Sequence, residues 1–204
     1  MTNAIQLNRL IELGITNLTD ISPADLAAHA DRLPNSPGSI LAIHPTFIPA
    51  RQLANLLCLN GKSGFVVSDM TDLEEFVPIP NLKIPDSPFY LVHDIERGDD
   101  MRNWSPSEAL PEIAKRDRTP LTISEGICWL LQKPDLLEPN HCFMTIGSRK
   151  AKGKQLDART PAIWISGGTG RDGSANKGAP KVGWCWTENR HTWLGFAYAS
   201  TRTL

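Results

Sequence analysis

The last third of the chain consists of short apolar runs separated by turn residues, and this pattern constrains the fold more than any other feature of the sequence. The runs are "HCFMTIGS" (141–148), "PAIWISG" (161–167), "KVGWCWT" (181–187) and "HTWLGFAYAS" (191–200). Runs of this length that are rich in β-branched and aromatic residues and bounded by turn residues are typical of strands. We predict that they form an antiparallel meander, in which the last two runs make a hairpin.

The earlier part of the chain combines helices with two further strands. Residues 1–38 show helical periodicity and form a predicted N-terminal helical segment. "SILAIH" (39–44) and "FVVSD" (65–69) indicate short strands on either side of a helix predicted over 49–61. Such a β-α-β unit favours a parallel pair of strands.

A proline-rich segment, residues 77–88, follows this unit. Four prolines in twelve positions predict an extended connector without regular strand pairing. The elements together predict an α+β fold, with a mixed sheet that contains the N-terminal β-α-β unit and the C-terminal meander, and with helices mainly on one face. At 204 residues, a single domain over 1–204 is the expectation.

Two Ser/Thr–acid pairs in the middle of the chain resemble catalytic pairs but have a simpler explanation. Ser105 precedes Glu108 by three positions, and Thr122 precedes Glu125 by three. This is the spacing of a capping box, in which the hydroxyl and the carboxylate satisfy backbone N–H groups at the start of a helix. We therefore predict helix N-termini at both places and assign them no chemistry.

Composition excludes several classes of protein. The 21 Lys and Arg residues almost balance the 22 Asp and Glu residues, so the overall charge would not steer the chain toward nucleic acid or an anionic membrane. The sequence has neither a run of about 20 apolar residues nor a secretory signal at its start, so a cytoplasmic protein without membrane contact is expected. The four cysteines form no CxxC pair and are expected to be reduced.

A glycine-rich loop, residues 167–180, is the stretch that most resembles a ligand loop. A phosphate-binding loop must lead into a helix, whereas this one leads into the predicted strand "KVGWCWT". The loop is longer than an ordinary hairpin connection and is therefore either a lid or a flexible insert. Its cations Arg171, Lys177 and Lys181 could contact an anion.

The densest polar cluster is "HDIERGDDMRNW", residues 93–104. If 89–96 is a strand, Asp94 and Glu96 lie on one face of it. Two carboxylates at a strand end can hold a hard divalent cation, with Asp99 or Asp100 completing the oxygen ligands. They can also divide the roles of catalytic acid and base between them.

The same cluster supplies cationic and amide side chains. Arg97, Arg102 and Asn103 are candidate ligand-binding residues. In the alternative interpretation, the arginines merely neutralise the carboxylates at a solvated strand end.

The predicted terminal hairpin brings a thiol and an imidazole close together. With a three-residue turn at 188–190, Cys185 and His191 lie diagonally on one face, which is the minimum for a nucleophilic cysteine. With a two-residue turn they lie on opposite faces. The alternative is that Cys185 is a packed core residue between tryptophans.

We expect a pocket between the 93–103 corner and the C-terminal strands, binding a small polar or anionic ligand with or without a divalent metal. Arg149, Trp184 and Trp193 are the ligand-binding candidates on the strand side. Whether the protein is an enzyme is left open.

The alternative function is that of a non-enzymatic interaction module. The basic turn 149–154, with Arg149, Lys150, Lys152 and Lys154, could contact a protein or single-stranded nucleic acid together with exposed tryptophans. The balanced overall charge argues against nucleic acid.

A set of longer motifs resembles a bacterial family known only as a domain of unknown function. The motifs are "GKSGFVVSDMTDLEEF", "YLVHDIERGDDMRNWSPSEALP", "PLTISEGI", "GSR", "WISGG", "GWCW" and "HTWLG", and they run from about residue 40 to the end. The resemblance implies a single-domain bacterial cytoplasmic protein. It implies no activity, cofactor or catalytic residue.

Overall fold

The computed structural model describes residues 1–204, apart from the side chain of Arg171. The α-helices are α1 (Asn3–Glu12), α2 (Pro23–Asp31), α3 (Ala50–Ala54), α4 (Pro106–Lys115) and α5 (Ile123–Gln132). Short 3-10 helices span Ile15–Leu18, Leu73–Glu75, Asp99–Met101, Pro134–Leu136, Gly170–Asp172 and Ser174–Asn176. The strands in the first half are β1 (Ile40–Ile43), β2 (Cys58–Leu59), β3 (Lys62–Ser63), β4 (Phe65–Val66), β5 (Val77–Pro78), β6 (Phe89–Val92) and β7 (Thr119–Pro120). Those in the second half are β8 (Cys142–Met144), β9 (Ser148–Arg149), β10 (Ala151–Lys152), β11 (Gln155–Leu156), β12 (Arg159–Ile165), β13 (Pro180–Trp186), β14 (Leu194–Phe196), β15 (Tyr198–Ala199) and β16 (Arg202–Thr203).

Two larger sheets organise the fold. One has five strands in the order β14-β8-β12-β13-β4, and the other has three in the order β1-β6-β16. In the five-stranded sheet β8, β12 and β13 are antiparallel, whereas the outer pairs β14–β8 and β13–β4 are parallel. The predicted α+β class with a mixed sheet is therefore confirmed. The described helices and strands form one cluster of buried apolar residues that extends from Leu7 to Ala199.

The predicted N-terminal β-α-β unit with a parallel pair is wrong. β1 pairs antiparallel with β6, and β4 pairs with β13 in the other sheet. Helix α3 has only five residues, and the chain then turns back in the hairpin β2–β3. Asn60 and Gly61 at its tip have φ angles of 50° and 75°, the left-handed conformation that such a two-residue turn requires. The helix predicted over 49–61 is therefore too short to carry the chain across a sheet.

The predicted meander is correct for three strands, and the predicted terminal hairpin is wrong. β14 does not follow β13 in the sheet but lies at the opposite edge, parallel to β8, with Leu194 opposite Cys142. The free edge of β13 is taken by β4, so the last apolar run pairs where an edge is open. Because β13 and β14 are parallel, residues 187–193 instead run back along the sheet to the end at which β13 begins.

Helix α5 is the central element and is buried along its whole length. It contacts β1 of one sheet and β12 of the other. The Trp129 ring lies 5.3 Å from that of Phe143. A Cβ added at Gly126 would lie 2.6 Å from Thr145 Cγ2, so glycine permits the close approach of helix and sheet. Both predicted capping boxes are present, at the starts of α4 and α5.

The proline-rich segment 77–88 is mostly irregular, as predicted, but not entirely unpaired. Its first two residues form β5, which pairs antiparallel with β9. Among the described helices, the longest have ten residues and none combines the length and apolar content that crossing a bilayer would require.

Candidate functional site

The acidic corner is held together by an ion pair. Arg97 Nη2 and Nε donate to Asp99 Oδ2 at 2.7 and 3.0 Å, and Nη1 donates to the Leu136 carbonyl at 2.7 Å. Burial alone would raise the pKa of Asp99, but the hydrogen bonds and charge of Arg97 outweigh it and bring the pKa below its ordinary value. Asp99 is therefore a partner for Arg97.

The predicted pairing of Asp94 and Glu96 on a strand face does not occur. β6 ends at Val92, and Asp94 has a φ of 48°, which breaks the alternation of side chains. Ser200 Oγ donates to Asp94 Oδ2 at 2.9 Å, and Tyr198 Oη donates to Glu96 Oε2 at 2.9 Å. Both carboxylates are on exposed residues, each with its own hydroxyl donor.

The metal hypothesis for Asp94, Glu96 and Asp99 is not supported by the arrangement of these side chains. Across the part of the chain that the structure describes, His, Cys, Asp and Glu side chains nowhere form a group of three that could hold a metal ion. Asp99 is already bound by Arg97, and Arg118 lies 3.9 Å from Glu96.

Arg102 and Asn103 shape the corner. Arg102 Nε donates to the carbonyl of Asp99 at 3.0 Å. Asn103 has a φ of 66°, and its N–H donates to the carbonyl of His191 at 2.8 Å. The first contact lies within the corner, and the second links the corner to the segment 187–193.

Two clefts are lined in part by the segment 136–142. The first, the corner cleft, has a volume of about 550 Å³. Its lining comprises Ile95, Glu96, Arg97, Gly98, Asp99, Asp100, Trp129, Leu136 and Tyr198. The second, the tryptophan cleft, has a volume of about 390 Å³. Its lining comprises Pro139, Asn140, Cys142, Trp164, Ile165, Ser166, Gly167 and Trp193.

Two half-buried tryptophans from different strand segments form the wall of the tryptophan cleft. The rings of Trp164 and Trp193 meet edge to face, with centroids 6.1 Å apart and planes at 65°. Trp164 is in β12, and Trp193 directly precedes β14. The His191 ring lies 5.2 Å from that of Trp193, and its buried Nε2 has no hydrogen-bond partner among the described residues.

The glycine-rich loop is tied to the sheet by a buried ion pair beside this cleft. Lys181 Nζ lies 2.6 and 2.8 Å from the carboxylate oxygens of Asp172, and Ser166 Oγ donates to the same carboxylate at 3.0 Å. Lys181 Nζ also lies 4.6 Å from the centroid of the Trp164 ring. Lys181 is thus neutralised.

The other two cations predicted to contact an anion are Lys177 and Arg171. Lys177 is exposed. The side chain of Arg171 lies outside the described residues.

The hairpin on which the predicted thiol–imidazole pair depends is not formed, and no hydrogen bond joins Cys185 to His191 among the described residues. Cys185 lies opposite Thr160 of β12. Burial raises the pKa of Cys185 to about 11, so the thiol is protonated at neutral pH. Burial lowers the pKa of His191. The structure therefore supports the packed interpretation of Cys185.

Arg149 and Trp184 belong to another part of the molecule than Trp193. Trp184 is three positions from Lys181 on β13 and so projects from the opposite face of the sheet. The guanidinium of Arg149 is buried and donates to the carbonyl of Asp157 at 2.8 Å and to Thr187 Oγ1 at 3.1 Å. The predicted ligand-binding set is therefore divided between two faces.

In the basic turn 149–154, Lys150 is neutralised, whereas Lys152 and Lys154 are exposed. Lys150 Nζ lies 2.7 Å from Asp72 and 2.9 Å from Glu75. Hydrogen bonds from Arg159 and Lys150 hold the pKa of Asp72 well below its ordinary value. Trp186, with 48% of its surface exposed, is the tryptophan on this side that solvent reaches.

Sequence reasoning missed Trp164, Ser166 and Asp172. Trp164 lies in a predicted strand, where alternation suggested a core residue, and nothing near Asp172 in the sequence indicated its partner. The proximity of Trp164 to Trp193 depends on the edge that β14 chooses, which is a non-local property.

The fold and the geometry thus define an α+β protein with two open clefts. Residues 9–204 match the sequence model of DUF5701, a family of unknown function, and the chain belongs to this family. No curated protein and no solved structure shows significant similarity to the chain.

Proposed function

We propose that the protein binds a small, polar, uncharged molecule that contains a ring, such as a sugar or a nucleoside, in the tryptophan cleft. The observation that carries the proposal is the pair of half-buried tryptophans, Trp164 and Trp193, that meet edge to face in the wall of the cleft. Its volume of about 390 Å³ lies within the range of small-molecule sites.

Aromatic walls favour ligands with a flat or weakly polar face. Stacking of a ring on an aromatic side chain contributes about 1–3 kcal/mol in nucleic-acid complexes. The contact between Lys181 and Trp164 and that between His191 and Trp193 fix the two rings from behind, so little side-chain freedom is lost on binding.

Charge favours a neutral ligand over an anion. The nearby cation, Lys181, is already paired with Asp172. Asn140 is exposed at the edge of the cleft, and its amide can both donate and accept hydrogen bonds.

The corner cleft is the weaker candidate. Asp99 is bound by Arg97, and Asp100 is bound by Arg116 at 2.6 Å. A ligand in that cleft would have to displace existing ion pairs.

The six tryptophans allow the two clefts to be distinguished in one experiment. In a nitrogen-15-labelled sample, the indole N–H signals of Trp164 and Trp193 report on the tryptophan cleft, that of Trp129 on the corner cleft, and that of Trp186 on the opposite face. The protein is titrated with methyl glycosides, nucleosides and aromatic amides. We expect saturable shifts of Trp164 and Trp193. Shifts confined to Trp129 or Trp186, or no shift with any compound, would contradict the proposal.

A further inference from the structure

A third pocket lies at the N-terminus of α5. Its volume is about 60 Å³, room for roughly four or five water-sized groups. The walls are mainly apolar and include Leu73, Phe76, Ile84 and Ile123, with Pro45 and Pro49. The polar lining is dominated by hydroxyl groups, among them those of Thr122, Ser124 and Ser148.

Ser124 is a polar residue of this pocket that has neither a side-chain nor a backbone N–H hydrogen bond to another described residue. It is 2% exposed, and neither its hydroxyl nor its backbone N–H has a partner among the described residues. Its neighbours in the first turn are satisfied: the N–H of Ile123 donates to Ser148 Oγ at 3.0 Å, and that of Glu125 donates to Thr122 Oγ1 at 3.2 Å. Ser124 therefore presents two unused donors at the positive end of a ten-residue helix.

The two carboxylates nearest the pocket each have a cationic partner, which reduces their repulsion of an anion. Glu125 is fully buried, and its Oε2 accepts from Arg202 Nη2 at 2.7 Å. Glu74 at the edge lies 3.6 Å from Arg51. The first turn of α5, with its partial positive charge, therefore lines the pocket.

We propose that this pocket binds a short, branched aliphatic carboxylate, independently of the tryptophan cleft. The two carboxylate oxygens accept from the N–H and the hydroxyl of Ser124, and the branched alkyl group fills the space between Phe76 and Ile84. The donors match an anion and the walls match a hydrocarbon, so neither an inorganic anion nor an alcohol satisfies both parts. The volume excludes long acyl chains.

The test is a titration of the full chain with isobutyrate, followed by the backbone amide signal of Ser124. Isobutyrate is a small ligand, so the dissociation constant is expected in the millimolar range. Isobutanol tests the need for the anion, and chloride tests the need for the apolar group. We expect a saturable shift with isobutyrate and at least tenfold weaker binding of both controls.

The chain offers a matched pair of variants. Ser124 and Ser107 are each the second residue of a helix that begins with a capping box, and Ser107 is exposed. Ser124→Ala removes one of the two donors, and we expect it to weaken isobutyrate binding about tenfold. Ser107→Ala is expected to leave binding unchanged.

A third variant, Ile84→Phe, fills the pocket from the connector and is expected to abolish binding while leaving the amide spectrum otherwise native. The absence of a saturable shift at Ser124 would overturn the proposal, as would equal affinity in Ser124→Ala. Shifts at Trp164 and Trp193 instead would place isobutyrate in the other cleft and would also overturn it.

Discussion

Replacing Asp172 by Asn tests whether the buried ion pair holds the glycine-rich loop against the sheet. The side chains of Lys181 and Asp172 are only 9% and 7% exposed, and both carboxylate oxygens contact the ammonium group. Removing one member of a buried pair typically costs about 3–5 kcal/mol, because the other charge stays buried and unpaired. The Trp164 ring still attracts the ammonium group, which is worth about 1 kcal/mol. We therefore expect the free energy of unfolding to fall by about 2–4 kcal/mol.

Urea denaturation measures this loss, and hydrogen exchange locates it. The N–H of Gly178 donates to the carbonyl of Ser166 at 2.8 Å where the loop rejoins the sheet, and its protection should fall most. The double variant Asp172→Asn/Lys181→Met removes both charges and should be less destabilised than the two single changes added together. A loss below about 1 kcal/mol, or strictly additive effects, would refute the reasoning.

Three further predictions concern the rest of the molecule. Because the pKa of Asp72 is lowered in the folded state, its stabilising contribution is present above the unfolded pKa of about 3.9 and is lost as the pH falls below that value. Urea denaturation across this range should show that the free energy of unfolding falls less steeply with decreasing pH in Asp72→Asn than in the parent protein. An unchanged pH profile would contradict the account. Gly195→Ala places a Cβ 2.4 Å from the carbonyl oxygen of Arg97, so we expect the free energy of unfolding, measured by thermal denaturation, to fall by about 1–3 kcal/mol. An unchanged stability would show that the backbone at Gly195 does not approach Arg97 this closely. Iodoacetamide at neutral pH should modify the exposed Cys58 well before Cys185, as mass spectrometry of the labelled peptides can show; faster labelling of Cys185 would contradict its half-buried, protonated state.

Local signals in the sequence predicted the local structure well. The pairs Ser105/Glu108 and Thr122/Glu125 located the starts of α4 and α5, because a capping box is complete within one turn. The pattern of apolar and polar residues located β8, β12 and β13 for the same reason, because the pattern of each strand is contained within its own run of residues.

Properties that depend on distant partners were not predictable. The position of β14 follows from the pairing of β13 with β4, more than a hundred residues earlier in the chain. The wrong position of that one strand produced the predicted pairing of Cys185 with His191 and concealed the contact of Trp164 with Trp193. The corner residues Asp94 and Glu96 were misjudged because the strand ends at Val92, and the left-handed conformation of Asp94 has no clear signature in the sequence.

The most direct test of ring binding in the tryptophan cleft is calorimetry of the best compound from the indole titration with three variants. Trp164→Ala and Trp193→Ala each remove one wall, and a loss of about 1–3 kcal/mol per stacked ring predicts roughly tenfold or greater weakening. Trp186→Ala removes an exposed tryptophan from the opposite face and should bind like the parent protein. Equal affinity of all three variants and the parent would contradict the account.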